Sequence, residues 1–534
     1  MNALLVLYAG NLSGEAVSPL IDGKNSLILA LQRAQNFPGV GKTVLLTGSE
    51  EDFPSITTEN SGLKSVCVEK RDSWTVKALL EAIAAHSADF DLSYFAWADC
   101  PFLDPELAGR LAERHLRYAA EYSYADGWPY GLAPELLSPG TAAILAKILG
   151  DSDGGPVGRD ALFSVIQKDI NAFDIETEIS PVDLRCHRLN LCADSRRNLL
   201  LLRRFIDCAA GEIPDTATVE RVIAKKPEIL RTLPAFYPVQ VYGGCPQSCA
   251  WCPWPQTAGA VTERRDYMEV PQFESLLEKI SAFSGDAVID LSLWGELSLH
   301  PQKMVLIEMV LRRPELALVI ETSGIGWKKS ELEYSAQLAQ TAASVRRTSP
   351  LVQKNEMPPL SWIVSLDTAD PARYKEIRGA GFAEANDCAK TLLSLFPQNA
   401  YVQAVRTTGA ENDIEQFYRS WKESVPAAAN IIIQKYDDLC GMLPRRQASD
   451  LSPVIRQPCW HLMRDMPILL DGTVPLCRQQ IAAADNKYTT GNALSEPLDL
   501  IWERGQRLYA EQTGAMPKYD SLCAGCDEYY TYNF

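Results

Sequence analysis

Cys245, Cys249 and Cys252 form a C-x3-C-x2-C set within one short segment. Thiolates are soft ligands suited to iron–sulfur clusters and zinc, and a flexible loop can wrap three of them round a single metal group. A cubane cluster has four irons, so three cysteines leave one iron open to a substrate or cofactor. A structural zinc site instead wants a fourth ligand and closure. A second group follows towards the C-terminus: Cys459, then Gly472 and Cys477 in a C-x12-G-x4-C spacing, and finally Cys523-Ala524-Gly525-Cys526. Four thiolates in two pairs fit a closed site with every metal position filled by protein, and zinc and a 4Fe-4S cluster both match that count. Seven of the 14 cysteines are thereby assigned. The other seven, Cys67, Cys100, Cys186, Cys192, Cys208, Cys388 and Cys440, show no metal spacing and read as small buried hydrophobes.

The elements that must position these thiols can be read from the apolar rhythm. The first stretch alternates β-rich runs (Ala3 to Tyr8, Thr43 to Thr47, Leu92 to Trp97) with helical patterns, which predicts a parallel α/β sheet. One helix is expected between Asn25 and Gln35. Another starts at Asp104-Pro105-Glu106, with Asp as N-cap and Pro at the first helical position, and is expected to run to about Tyr122. A polar connector from Gly211 to Ala235 precedes a second series of strands: Pro238 to Tyr242, Ala287 to Leu293, Leu316 to Glu321, Trp362 to Asp367, Tyr401 to Arg406 and Asn430 to Gln434. Between them lie stretches long enough for one helix each, such as Val270 to Phe283 and Pro371 to Ile377. Six βα units predict a partial barrel, whose chemistry gathers at the C-terminal ends of its strands. Cys245 follows the first of those strands, and Cys440 lies just past the sixth, near the expected mouth. From about Arg445 the chain becomes loop-rich and cysteine-punctuated. Three domains follow: 1–232, 233–444 and 445–534. Gly39-Val40-Gly41-Lys42-Thr43 imitates the end of a phosphate-binding loop but precedes a strand and lacks the upstream glycine, so it is rejected.

Composition narrows the setting. The 534 residues carry a formal net charge of −17. That argues against nucleic acid or an anionic membrane as the main partner, since basic residues supply such affinity. No apolar run approaches the ~20 residues of a spanning helix, and Met1-Asn2-Ala3-Leu4-Leu5 lacks the basic residues of a signal peptide. A cytoplasmic setting is expected, where thiols stay reduced or bind metal.

With Trp251 before its last cysteine, the Cys245–Cys249–Cys252 set resembles the signature of radical S-adenosylmethionine (SAM) enzymes, a likeness extending over roughly Pro238 to Leu443. Trp294-Gly295-Glu296 stands where that family has Gly-Gly-Glu, Glu321-Thr322-Ser323-Gly324 where relatives carry a Thr-Asn-Gly-like turn, and Ser365-Leu366-Asp367 where a strand-end serine contacts the cofactor. The resemblance implies a 4Fe-4S cluster on the three cysteines and SAM held near Trp294, Gly295, Glu296, Thr322 and Ser365. It further implies reductive cleavage to a 5′-deoxyadenosyl radical that abstracts hydrogen from a substrate, and an electron donor such as flavodoxin or ferredoxin. No catalytic acid or base is assigned. C-x12-G-x4-C with Gly491-Asn492 and Leu500-Ile501-Trp502 resembles the SPASM extension of such enzymes. Full SPASM domains carry seven cysteines; the four here imply one auxiliary 4Fe-4S cluster on Cys459, Cys477, Cys523 and Cys526. SPASM relatives modify peptides or protein side chains, which makes these the expected substrate class.

Residues 1–232 resemble nucleotidyltransferases of GT-A-like fold, through Ala9-Gly10, Pro19-Leu20-Ile21-Asp22-Gly23-Lys24, Asp99-Cys100-Pro101 and Gly131-Leu132-Ala133-Pro134-Glu135. In that family the glycine-rich loop wraps a triphosphate and the first aspartate holds Mg2+, which places Asp99, and less directly Glu135, as metal candidates. Ala9 to Val17 contains no Arg or Lys and does contain Glu15, which would repel phosphates, so the domain reads as degenerate. Nucleotidyl transfer to a sugar-like acceptor, with structural clusters, stands as the alternative function. The fusion of the three parts is similar to the spiro-SPASM proteins of spirochaetes.

Overall fold

The computed structural model of the chain describes residues 1–48, 63–258, 265–348, 357–449, 451–482, 488–513, 517–519 and 521–531. It divides into two compact units, Met1–Thr232 and Leu233–Phe534.

The first unit is built on a seven-stranded sheet: β1 (Ala3–Ala9), β2 (Val40–Gly48), β3 (Val66–Arg71), β4 (Leu92–Trp97), β5 (Tyr122–Asp126), β6 (Glu135–Leu137) and β7 (Ile175–Ile179). Their order across the sheet is β3-β2-β1-β4-β6-β5-β7. All seven residues of β1 are buried, as expected of an apolar run between two parallel neighbours. β6 runs antiparallel to both β4 and β5. The helix Ser26–Ala34 is capped by Asn25, whose side chain accepts from the Ile28 amide. The helix opened by Asp104 and Pro105 ends at Arg117, well before Tyr122. Ala119 takes a left-handed φ of 50°, which stops the helix, and Tyr122 onwards pairs with β7 as a strand. The false phosphate-loop sequence lies in and beside β2.

The second unit carries six parallel strands in sequence order: β8 (Phe236–Pro238), β9 (Ala287–Asp290), β10 (Leu316–Thr322), β11 (Leu360–Ser365), β12 (Ala400–Arg406) and β13 (Ile431–Lys435). Each crossover advances by one strand, which curls the sheet into a half-barrel. Tyr237, Ile289, Leu318, Trp362 and Val402 form the core with Phe273, Leu276 and Ile280 of the helix Val270–Ser284. β8 is shorter and earlier than its sequence suggests. Pro238 has no amide to donate, and the residues after it turn to the C-terminal segment, where the Gln240 amide bonds the Ile468 carbonyl. That segment shares the barrel's core through Met466, Ile468, Val474 and Trp502. Its own sheet is a short antiparallel pair, β14 (Thr473–Pro475) and β15 (Thr489–Asn492). Gly472 makes the turn into β14 at φ 84°; a Cβ there would lie 2.6 Å from Leu494. Among the described residues no helix is long and apolar enough to cross a membrane.

Candidate functional site

The segment after β8 brings Cys245, Cys249 and Cys252 to one wall of a cavity of about 270 Å³. It is held down on the helix Pro371–Ile377: the Ser248 amide bonds the Arg378 carbonyl at 3.2 Å and the Ala250 amide bonds Ile377 at 3.0 Å. Burial pushes the Cys252 thiol up to about 12, and proximity to Cys249 adds to it. Burial and neighbouring acidic groups raise Cys245 as well. Three half-buried thiols gathered on one cavity wall are a ligand set suited to a soft cationic metal. The donor set therefore fits an iron–sulfur cluster or another thiophilic group.

Trp294, Gly295, Glu296, Thr322 and Ser365 line the same cavity. Trp294 has a left-handed φ of 43°, unusual for so bulky a residue, and its ring stacks on Trp254 at 6.2 Å. Gly295 is sterically required: a Cβ there would lie 1.9 Å from the Tyr242 carbonyl oxygen. Glu296 is buried and already bonded. Its carboxylate accepts from the Thr322 hydroxyl (2.7 Å) and the Ser323 amide (2.7 Å), tying two strand ends together. Ser365 donates to Glu321 at 2.7 Å, and Gln403 donates to the same carboxylate oxygen at 2.7 Å.

Several lining residues had no site role from sequence, although Ile377-Arg378-Gly379 is similar to the segment that follows the fourth strand in radical SAM enzymes. Arg378 is buried between Asp367 (2.5 Å) and Gln247 (3.0 Å). Burial opposes its charge, but Cys249 and Asp367 outweigh that and keep it cationic beside the cysteines. At the other end, Lys435 pairs with Asp527 at 2.8 Å and with Glu528. Arg478 lies 3.8 Å from Asp437 and 3.6 Å from Glu528. Burial, then the charge of Glu528, pushes the Asp437 carboxyl up to about 6. No local pattern marks Lys435 or Arg478, because Lys435 pairs with Asp527 and Arg478 with Asp437 and Glu528, all from distant segments.

Cys459, Cys477, Cys523 and Cys526 converge on a second, small cavity of about 30 Å³. Arg456 holds the last pair in place, donating to the Cys523 carbonyl at 2.6 Å and the Cys526 carbonyl at 3.1 Å. Arg478 lines both cysteine cavities. Cys440 lies beside this group: its thiol donates to the Gln479 side-chain carbonyl at 3.7 Å, and its proximity to Cys526 raises Cys440 and lowers Cys526. Of the other unpatterned cysteines, Cys100, Cys192 and Cys388 are buried as expected, Cys208 is half-buried, and Cys67 and Cys186 are exposed, contrary to expectation.

In the first unit, Asp99 is a poor Mg2+ ligand. Arg159 takes both of its carboxylate oxygens, at 2.8 and 2.6 Å, and the adjoining thiols of Cys100 and Cys192 are soft donors. Glu135 is bonded to the Tyr122 hydroxyl at 2.5 Å, and burial pushes its carboxyl up to about 7.

No family profile matches the chain. An uncharacterised protein of Treponema pallidum (strain Nichols) is 35% identical over 380 residues, covering 70% of this chain and 98% of that protein. The chain belongs to the family of this Treponema protein. A second uncharacterised protein of the same organism matches at 44% identity over 55 residues, 10% of this chain and 25% of the other. Among solved structures, BtrN in complex with AdoMet and 2-DOIA covers 55% of this chain and 94% of its own, at 16% identity and a TM-score of 0.34. Streptococcus suis SuiB bound to precursor peptide SuiA covers 59% and 74%, at 15% identity and 0.41. A cytidylyltransferase from Leptospira borgpetersenii covers 43% and 95%, at 18% identity and 0.35. These are partial likenesses of form; the half-barrel is established by this chain's own strand order.

Proposed function

We propose that the second unit is a radical SAM enzyme with one auxiliary iron–sulfur cluster, acting on a polar substrate, a peptide or protein side chain. The observation that carries this reading is the convergence of three thiols from one segment on a cavity at the C-terminal ends of parallel strands, with a separate four-cysteine set nearby. Cys245, Cys249 and Cys252 would hold a site-differentiated 4Fe-4S cluster, and Cys459, Cys477, Cys523 and Cys526 a fully ligated one. A bound cluster of the first kind supplies the electron that cleaves SAM to methionine and a 5′-deoxyadenosyl radical.

The chain's own residues orient and shield. Gly295 lets the Tyr242 carbonyl pack against the turn that lines the cavity beside the cysteines, and the stacked rings of Trp294 and Trp254 cover that edge. Glu321, with Ser365 and Gln403 fixed on one oxygen, offers its other oxygen to a hydroxyl or amine. Lys435, Asp437 and Arg478 give the far wall a mixture of charges suited to amide and carboxylate groups. Asp437, held near neutrality, can take a proton from substrate.

Anaerobic reconstitution tests the reading: iron should reach about eight per chain for two four-iron clusters, and reductant with SAM should release 5′-deoxyadenosine. Zinc without iron, or no 5′-deoxyadenosine with both sites loaded, overturns it. Deuterium transfer into 5′-deoxyadenosine from labelled peptides then tests the substrate class. Nucleotidyl transfer is not favoured, because Arg159 occupies the oxygens of Asp99 that a metal would need.

A further inference from the structure

The first unit contains a cavity of about 280 Å³ formed between β5, β6 and the helix Ala161–Ile166. Its walls are aromatic. Tyr124 and Phe163 lie with ring centroids 6.0 Å apart at 51°, and Trp128 and Tyr130 complete the lining. Its acidic groups are Glu135 from β6 and exposed Asp160. The lining holds one cation, Arg159, whose charge is committed elsewhere. Asp99 binds it through two bonds and Asp194 approaches at 3.4 Å, while it lies over the Trp97 ring at 4.1 Å and over the lining ring of Tyr130 at 5.6 Å. The charged lining is two carboxylates against one paired cation, and the rings without an arginine over them are Tyr122, Tyr124 and Phe163.

We propose that this cavity binds a small organic cation, a ligand bearing an alkylated or primary ammonium group, with the rings facing the cation and Glu135 as its counter-ion. Nucleotide phosphates would meet the carboxylates of Glu135 and Asp160 here, with the one lining cation already paired to Asp99. A neutral apolar ligand would use the rings and leave the carboxyl of Glu135 without gain. An ammonium group uses both, since ring quadrupoles attract cations and a carboxylate beside a cation ionises more readily. The Tyr122 hydroxyl fixes the Glu135 carboxyl in place, so the counter-ion is pre-positioned. Burial pushes that carboxyl up to about 7, a penalty that a cation at this position relieves. The assignment is independent of the radical chemistry proposed for the second unit.

The test is calorimetric titration of the full-length protein with tetramethylammonium, choline and ethanolamine, alongside 3,3-dimethylbutan-1-ol, the uncharged isostere of choline. At least one cation should bind saturably, choline should bind at least about tenfold more tightly than its isostere, and CTP should not compete. Glu135→Gln should abolish the preference for charge while Phe163→Leu weakens choline. Equal binding of choline and its isostere overturns the proposal, as does competition by CTP. Absence of saturable binding of all three cations up to about 50 mM overturns it as well. The isostere comparison needs only wild-type protein, so it remains decisive if a variant fails to fold.

Discussion

Replacing Arg378 by methionine should loosen the cysteine segment from the barrel. The guanidinium is 9% exposed and the Asp367 carboxylate 1%, at 2.5 Å, so the variant leaves a buried carboxylate without its cation. Breaking such a pair by removing one partner costs roughly 3–5 kcal/mol. Asp367 keeps one donor, the Val405 amide at 2.9 Å, which places the expected loss at the lower end, about 3 kcal/mol. The variant also removes the donor to Gln247 at 3.0 Å, a side chain two residues before Cys249. Urea unfolding of cluster-free full-length protein measures the first effect, and iron per chain after reconstitution measures the second. Asp367→Asn is the partner substitution: asparagine tolerates the left-handed φ of 67° and still accepts from Val405. In the double variant the buried charge is gone, so the two losses should fall short of additivity by about 2 kcal/mol. Iron at the first site should stay low in the single and double Arg378→Met variants, because Gln247 then keeps only its bond to the Tyr374 hydroxyl at 2.6 Å. A single-variant loss under about 1 kcal/mol, or strict additivity, refutes the view that this ion pair is buried and coupled.

Three further outcomes follow from the geometry. Gly295→Ala drives a Cβ to within 1.9 Å of the Tyr242 carbonyl; it should displace the backbone leading to Cys245, cost about 1–3 kcal/mol and depress 5′-deoxyadenosine release, and native-like activity would contradict it. Cys459→Ala should lower reconstituted iron to about four per chain with the first site intact, whereas Cys440→Ala should keep both clusters; iron and Mössbauer analysis distinguish the two. Glu135 has a folded-state pKa near 7, above its ordinary 4.5, so its stabilising effect is complete below about 4.5 and lost as pH rises through 7. Glu135→Gln should therefore gain on wild type at pH 8 by up to about 3 kcal/mol and show little difference at pH 4; parallel pH profiles in thermal melts would refute this.

Much of the fold was legible because its signals are local. Leu316 to Ile320 is a continuous apolar run of the kind a strand buried on both faces requires, and it forms most of β10 as expected. The helix Pro371–Ile377 announces itself by Asp370 as cap and Pro at its first position. Two misreadings also have local causes that only pairing reveals. The helix after Asp104 stops at Arg117 because Tyr122 finds β7 about fifty residues later. β8 ends at Pro238 because the following residues bond to Ile468.

The same division governs the candidate site. Three metal-type ligands within eight residues are a sequence property, since a short loop brings them together whatever surrounds it. The sequence alone therefore determined the thiol sets and the strands that carry them. Only the tertiary structure decided that Cys440 lies near Cys526, that Arg378 stands beside Cys249, and that Arg159 neutralises Asp99. These are contacts between groups far apart in sequence or between side chains buried together. Their strength comes from desolvation and charge proximity, which exist only once the chain has packed.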